Sequence, residues 1–399
     1  MEEETVSSIE QADRYMFNTY SRFPITLVRG EGCRVWDEEG KSYLDFVGGI
    51  AVCALGHSSP IVTKALEEQS RMLVHVSNLF YTKPQIELAR LLVENSFADR
   101  VFFGNSGAEA NEAAIKLARK YAKDNMGDGK HVIICMDNSF HGRTMATLSA
   151  TGQEKVRKGF DPLLSGFKFV PFNDVEAIAE AVDDATCAVM LEPIQGEGGV
   201  VVPDTTYLKE VRNLCDERGI LLIFDEVQVG MGRTGKLFAH EHYGVYPDIM
   251  TLAKALGNGL PIGAMLATEK LSQSFGPGTH ASTFGGTPLV TAVAGAVVRS
   301  ILENGLLEHC REMGEYFRGR LQALVDKYDF VTEVRGLGLI IGLELNVEGS
   351  PVVSQCLDKG FLINCTQDRV LRFLPPLIVE RDEIDQMVEC LDGIFEGIK

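Results

Sequence analysis

The sequence predicts an α/β protein: a large domain built on a mostly parallel, seven-stranded sheet, joined to a smaller α+β domain. Three observations predict it. Seven short apolar runs recur between residues 100 and 267, they are almost continuously apolar rather than alternating, and amphipathic stretches separate them. Strands buried on both faces lose the two-residue alternation, and strands joined through helices lie parallel.

Taken in order, strands are expected at Val101–Phe103, His131–Met136, Phe167–Val170, Cys187–Leu191, Ile220–Phe224, Ile249–Leu252 and Ile262–Ala267. Ala110, Ala114, Leu117, Ala118 and Tyr121 form one helical stripe, and Leu208, Val211, Leu214 and Cys215 another. Gly219 is placed to end the second helix as a C-cap. Beyond residue 290 the pattern changes to helical stretches near 290–326 and 380–398 flanking the runs Gly338–Leu345 and Leu371–Leu374. The large domain is placed at 56–285, and residues 1–55 with 286–399 at the smaller one.

Composition narrows the function. The chain has 399 residues, 38 basic and 56 acidic, for a formal charge of −18. That balance disfavours nucleic acid and anionic membrane, which need clustered Lys/Arg. Hydrophobic residues at 45% support a sizeable core. The 40 glycines exceed the usual ~7% and point to tight turns and ligand-hugging loops. Nine cysteines, none in CxxC spacing, fit a reducing compartment and no zinc ribbon. The acidic Met1–Glu4 start is unlike a signal peptide, and the longest uncharged stretches fall short of the ~18 apolar residues of a membrane span. A soluble, cytoplasmic protein is expected.

Ser106-Gly107-Ala108-Glu109 stands at a strand-to-helix junction. Ser106 and Glu109 make a capping box, while Gly107 and Ala108 leave N–H groups open to an anion at the helix's positive end. Gly230–Lys236 imitates a nucleotide loop, but Leu237 replaces the P-loop Ser/Thr and no full helix follows, so a glycine-rich turn is the better reading. His240 and His242, two apart, do not share a helix face, and no metal is expected there. The run Ile220–Phe224 delivers Asp225 and Glu226; an isolated pair of this kind is usually a solvated loop acid. Ile249–Leu252 is followed by Lys254, and a lysine in apolar surroundings is kept neutral and nucleophilic toward carbonyl carbon. A phosphate nest, a strand-end acid and a strand-end lysine together meet the needs of pyridoxal phosphate.

Further segments repeat a known order: Gly48–Val52, Leu55–His57, Ser77–Tyr81, Asn105–Asn111, Ser139–Arg143, Glu192–Glu197, Asp225–Gln228, Lys254 and His280–Gly286. Over essentially its whole length the chain resembles the class III (ω-) aminotransferases, pyridoxal-phosphate enzymes of fold type I. The resemblance implies that Lys254 is the Schiff-base lysine and proton shuttle, that Asp225 pairs with the ring nitrogen and that Gln228 meets the phenolic oxygen. Phe140 and Val227 would flank the ring. Ser106, Gly107 and Ala108 would hold the phosphate, with Thr283 reaching it from a neighbouring subunit, which implies a homodimer with shared sites. Arg143 and Arg372 would bind carboxylates, Glu197 pairing with Arg372 for one substrate and releasing it for the next.

Ser282 joins the implied substrate site, as does Ile50, which stands near a tyrosine of the ornithine-specific members and suits an acylated α-nitrogen. Cys53 departs from a frequent asparagine. The implied substrates are an acylated diamino acid and 2-oxoglutarate, in arginine biosynthesis. Related ω-aminotransferases acting on succinylornithine, succinyldiaminopimelate, ornithine or 4-aminobutyrate are the alternatives within the class. A nucleotide-dependent oxidoreductase using Gly230–Gly235 is the alternative outside it.

Overall fold

The computed structural model describes residues 7–398, so the acidic Met1–Glu4 start lies outside the described residues. The seven apolar runs become one seven-stranded sheet. Its spatial order is Arg100–Gly104, Gly263–Ala267, Ile249–Leu252, Leu221–Asp225, Thr186–Leu191, Val132–Met136 and Phe167–Val170. Pairing is parallel except at Gly263–Ala267, which runs antiparallel to both neighbours. The predicted ends move by no more than two residues.

Continuous apolarity has the expected cause. Every residue of Val132–Met136, Thr186–Leu191 and Leu221–Asp225 is buried. Alternate residues enter opposite clusters: Ile133, Cys135 and Ile223 pack with Ala114, Leu117 and Tyr121, whereas Ile134, Met136 and Leu222 pack with Leu208, Val211 and Cys215. The helix Gly107–Asn125 therefore covers one face and Tyr207–Arg218 the other, each through the stripe visible in its sequence. Gly219 ends the second helix in the left-handed conformation at φ 63°.

The two ends of the chain meet. Leu27–Glu31, Arg34–Asp37 and Ser42–Asp45 form an antiparallel sheet that Phe361–Leu362 joins in parallel, Phe361 opposite Leu44. A second sheet has the order Val331–Leu337, Ile340–Leu345, Val370–Phe373, Asn364–Thr366. Leu306–Lys327 covers it, and Arg381–Phe395 packs on that helix. The stretch expected as one helix near 290–326 is two, Pro288–Glu303 and Leu306–Lys327, because Asn304 leaves the helix and Gly305 turns left-handed at φ 71°. One apolar cluster, including Leu252, Leu266, Phe317, Leu343 and Phe373, runs from the large sheet into this region.

The Gly230–Gly235 loop is interior. Met231, Arg233 and Thr234 are all buried, and Arg233 Nη1 donates to the carbonyls of Leu339 and Pro375. A glycine-rich turn packed on backbone this way offers a nucleotide phosphate no surface. No single helix among the described residues is long and apolar enough to cross a membrane.

Gly219 supplies a test of the helix boundary. A Cβ there meets open space, so Gly219→Ala should act through backbone strain alone and cost about 1–2 kcal/mol. Thermal unfolding at matched scan rates should show a midpoint lowered by a few degrees; an unchanged midpoint contradicts the left-handed cap.

Candidate active site

Asp225 ends the strand Leu221–Asp225 at the carboxyl edge of the sheet, where open α/β sheets leave a crevice. Only 3% of it is exposed. Its Oδ2 accepts from Asn111 Nδ2 at 2.7 Å and His141 Nδ1 at 2.8 Å, and its Oδ1 from the Val227 N–H at 3.0 Å. Thr251 Oγ1 donates to Asn111 Oδ1 at 2.7 Å and so fixes the amide with its donors toward Asp225 and the His141 carbonyl. Burial alone would lower His141, but the Asp225 hydrogen bond and charge, aided by Glu192, raise it instead. Asp225 is thereby a buried anion with three donors aimed at it.

A cavity of about 460 Å³ opens in front of this carboxylate. Asp225, Val227 and Gln228 line it from one side, Ser106, Gly107 and Ala108 from another, and Phe140 and Arg143 from a third. Lys254 lies on the same wall system, two residues beyond the strand Ile249–Leu252. Its backbone is left-handed at φ 42°, a conformation that costs a non-glycine residue about 1–2 kcal/mol and clusters at functional sites. Burial pushes the Lys254 amine below its ordinary range; the Arg372 charge adds to this, and Glu197, Asp225 and Glu192 oppose it. A lysine moved toward its neutral form is a nucleophile.

At the start of Gly107–Asn125 the predicted capping box is half made. Ser106 Oγ accepts from the Glu109 N–H at 3.1 Å. The Glu109 carboxylate, however, folds past Ser106 to accept from the Asn105 N–H at 2.6 Å and its Nδ2 at 2.8 Å. Gly104 permits this, since a Cβ there would stand 3.0 Å from Glu109. The Gly107 and Ala108 N–H groups consequently have no acceptor among the described residues. Gly107 also has to be glycine, because a Cβ would come within 2.7 Å of Val227 Cγ1.

The two predicted carboxylate-binding arginines differ sharply. Arg143 is exposed, stacks its guanidinium 5.5 Å from the Phe140 ring centre and has no ion pair among the described residues. Arg372 is 1% exposed and already engaged: its Nη1 lies 2.5 Å from Glu197 Oε1 and 3.1 Å from Gln228 Oε1, and its Nε donates to Asn364. Burial raises Glu197, but Arg372, with Lys254 and Gln228, more than reverses it and holds the carboxyl low.

Five predicted residues fall off the cavity wall; two of them, Arg372 and Glu197, adjoin it through their hydrogen bonds to Gln228. Ile50 is 40% exposed on a turn with positive φ from Gly48 to Ala51, and Val52 takes the wall position instead. Ser282 and Thr283 line a second cavity with Ser77, Asn78 and Tyr81; Ser282 touches the first site only through Asn105 Nδ2, at 3.3 Å. Four positions carry weight that sequence reasoning did not assign. His141 and Asn111 hold Asp225. Glu192 accepts from the Phe140 N–H at 3.1 Å and, through burial and then the Asp225 charge, is pushed up to about 7 against the pull of His141. Glu226 is no solvated acid: it is 1% exposed and accepts from the N–H groups of Ala239 and His240 and from His240 Nδ1. His141, Asn111 and Glu192 lie inside motifs already noted, so proximity in sequence was the available signal.

Residues 15–395 match the aminotransferase class-III family. The acetylornithine aminotransferase of Caldanaerobacter subterraneus is 56% identical over 97% of this chain and 98% of its own length. The N-acetylornithine aminotransferase structure from Stenotrophomonas maltophilia superposes with a TM-score of 0.85 at 38% identity, covering 98% of both chains. An ornithine aminotransferase structure from Toxoplasma gondii, with pyridoxal phosphate at partial occupancy in its active site, gives 0.94 at 35% identity over 98% of this chain and 94% of that one. Class-III enzymes are pyridoxal-phosphate-dependent transaminases of this α/β architecture. With a buried strand-end acid, a strained lysine and an open helix start around one cavity, and with these relatives, the chain belongs to the class-III aminotransferase family.

Proposed function

We propose that the chain is an acetylornithine aminotransferase of arginine biosynthesis. It converts N2-acetyl-L-ornithine and 2-oxoglutarate to N-acetyl-L-glutamate 5-semialdehyde and L-glutamate. One carbon is oxidised from amine to aldehyde while the other is reduced from ketone to amine, so no external redox partner is needed. The observation that carries this reading is the pair of unequal arginines about the lysine-bearing cavity: Arg143 open on its wall, Arg372 hydrogen-bonded to the wall residue Gln228 and neutralised by Glu197.

The residues present fit pyridoxal phosphate. Unpaired Gly107 and Ala108 N–H groups at a helix start suit the phosphate, with Ser106 beside them. Asp225 suits a protonated ring nitrogen, Phe140 and Val227 the ring faces, and Gln228 the phenolic oxygen. Lys254 Nζ supplies the covalent attachment. When bound, the cofactor supplies electron withdrawal from the carbon bearing the amino group and stores that group between half-reactions. Lys254 Nζ then takes and returns the proton at that carbon, a role its lowered basicity suits.

Arg143 binds the carboxylate of the acetylated substrate while Glu197 occupies Arg372 and keeps a second carboxylate out. For 2-oxoglutarate, Glu197 swings away and Arg372 takes the second carboxylate by two parallel bonds. At the turn that begins at Gly48 the cavity wall is the apolar Val52, with Ile50 exposed beside it, and neither side chain offers a hydrogen bond to a free α-amino group, which favours the acylated donor. The same proposal includes the two-domain division at 56–285 and at 1–55 with 286–399, a cytoplasmic setting and a homodimer. Support for the dimer is the exposed apolar rim of the second cavity, with Leu79 at 85% and Tyr81 at 96%. There the partner subunit's Thr283 would complete each phosphate site, and Ser282 would border the substrate.

Borohydride reduction of the holoenzyme followed by peptide mapping should fix the cofactor on the Lys254 peptide. Lys254→Ala should lose that label and roughly four orders of magnitude of turnover; a labelled, active variant overturns the assignment. Across free and acylated diamines with 2-oxoglutarate, kcat/KM should be at least about tenfold higher for acetylornithine than for ornithine. The reverse order overturns the substrate and leaves the reaction class standing. Arg372→Lys should raise KM for 2-oxoglutarate by about 10–100-fold, matching the ~1.5–3 kcal/mol of a charged hydrogen bond, with a smaller effect on the acetylated donor. Arg143→Lys should weaken both. Equal losses in Arg372→Lys would contradict the gate.

A further inference from the structure

Glu197 is the only side chain in the run Gly196–Gly199, so the residue that neutralises Arg372 stands on backbone of high intrinsic freedom. That backbone is nevertheless closely held. A Cβ on Gly196 would overlap Gln228 Oε1, and one on Gly198 would come within 2.7 Å of Gln195 Oε1. Before Glu197, the Gly196 N–H donates to Glu192 Oε1 at 3.3 Å. After it, Arg335 donates from Nη2 to the Gly199 carbonyl at 2.8 Å and from Nε to the Val200 carbonyl at 3.1 Å. The Glu197 carbonyl itself accepts from Gln367 Nε2 at 3.0 Å, and among the described residues no other donor reaches it.

Gln367 belongs to the same hairpin as Arg372. The strands Asn364–Thr366 and Val370–Phe373 pair antiparallel with Asn364 opposite Arg372, and Gln367 opens the turn between them. Gln367 and Asp368 are both left-handed, at φ 49° and 62°. Asn364 Oδ1 accepts from Arg372 Nε at 3.2 Å and fixes the guanidinium within the hairpin. One hairpin thus grips Glu197 twice, by its carboxylate through Arg372 and by its carbonyl through Gln367. Drawing hairpin and loop apart would break both grips. Turning the Glu197 side chain about its own torsions releases the carboxylate and keeps the carbonyl bond.

We infer that Gln367 is a positioning residue for substrate discrimination: its bond to the Glu197 carbonyl sets the backbone from which the carboxylate closes on Arg372. The inference rests on the proposed role of Glu197 and Arg372 as a gate between a monocarboxylate donor and a dicarboxylate acceptor. With the Gln367 bond lost, the glycine-flanked backbone gains alternatives in which Glu197 no longer meets Arg372, and the closed state loses weight. A dicarboxylate then has less of an ion pair to break and binds more tightly. The donor brings an ammonium group to the cavity, and Arg372 without its counter-charge repels it.

The test takes the holoenzyme with Gln367→Asn, one methylene too short for the carbonyl, and with Gln367→Gly, which has no side chain. Both residues tolerate φ 49°, so both variants should fold, and either one suffices. Calorimetric titration with glutarate, a dicarboxylate without the reacting ketone, reads opening of the gate without turnover. Its dissociation constant should fall about three- to tenfold, the scale of one neutral hydrogen bond. KM should fall for 2-oxoglutarate and rise for acetylornithine, with kcat held within about twofold. Opposite shifts exclude a merely loosened site, which would weaken both substrates. Unchanged constants, or losses for both substrates, overturn the role of Gln367. Arg372→Lys separates the two readings: if it impairs 2-oxoglutarate selectively while the Gln367 variants change nothing, the gate stands and the anchor falls. If it impairs both substrates equally, the gate fails and the inference with it.

Discussion

The buried charge on Asp225 is the constraint around which the site is organised. An ionised carboxylate 3% exposed is tolerated only where donors replace its lost water. Those donors come from different parts of the chain: Asn111 from the helix Gly107–Asn125, His141 from the loop after Val132–Met136, Val227 from the turn after Asp225's own strand. Thr251, on the adjacent strand, orients Asn111 in turn. Satisfying one anion therefore registers a helix, a loop and two strands against one another. The cavity, the open N–H groups and Lys254 inherit their positions from that registration.

Electrostatics at this site is local, and the overall charge of −18 conceals it. Screening limits distant surface charges to a reach of about 8–10 Å, whereas buried groups act at short range through a poorly polarisable medium. Within the site, Glu197 holds Arg372 in an ion pair while its charge also bears on Lys254. Moving Glu197 would expose one cation to a carboxylate and withdraw support for the charge on the other. Substrate choice and lysine basicity are thereby linked through a single side chain.

Strand positions and helix faces were legible in the sequence, because strands buried on both sheet faces become continuous apolar runs and the helices between them keep one apolar stripe. Phe167–Val170 and Ile249–Leu252 were readable to the residue. The break at Asn304–Gly305 was not, since both flanking helices keep their apolar stripes and the change is one of direction. At the site, Asp225 and Lys254 stood out because polar residues ending apolar runs are conspicuous. His141 and Asn111 did not, for their roles depend on contacts across 84 and 114 positions. Glu226 shows the converse failure: next to Asp225 in sequence it looks equivalent, yet the alternation of a strand end sends it inward to cap the turn at Ala239–His242.

Backbone strain is a second constraint at the site, alongside charge. Ile50, Ala51 and Lys254 all have positive φ, at about 1–2 kcal/mol each, so about 3–6 kcal/mol is stored near one cavity. Set against a typical net stability of 5–15 kcal/mol, that is too much to persist unless neighbouring contacts fix each residue. They do so differently. The turn at Ile50 is held by Asp45 at its start, and a Cβ on Gly48 would strike the Leu374 carbonyl at 2.7 Å, so the backbone there has no slack. Lys254 is followed by a short turn whose N–H groups return to Ala253 and Lys254. A relaxed chain could carry the same residues, but it would let the amine drift from Asp225 and Glu197. The strained backbone keeps Nζ in that field, and the field sets its basicity.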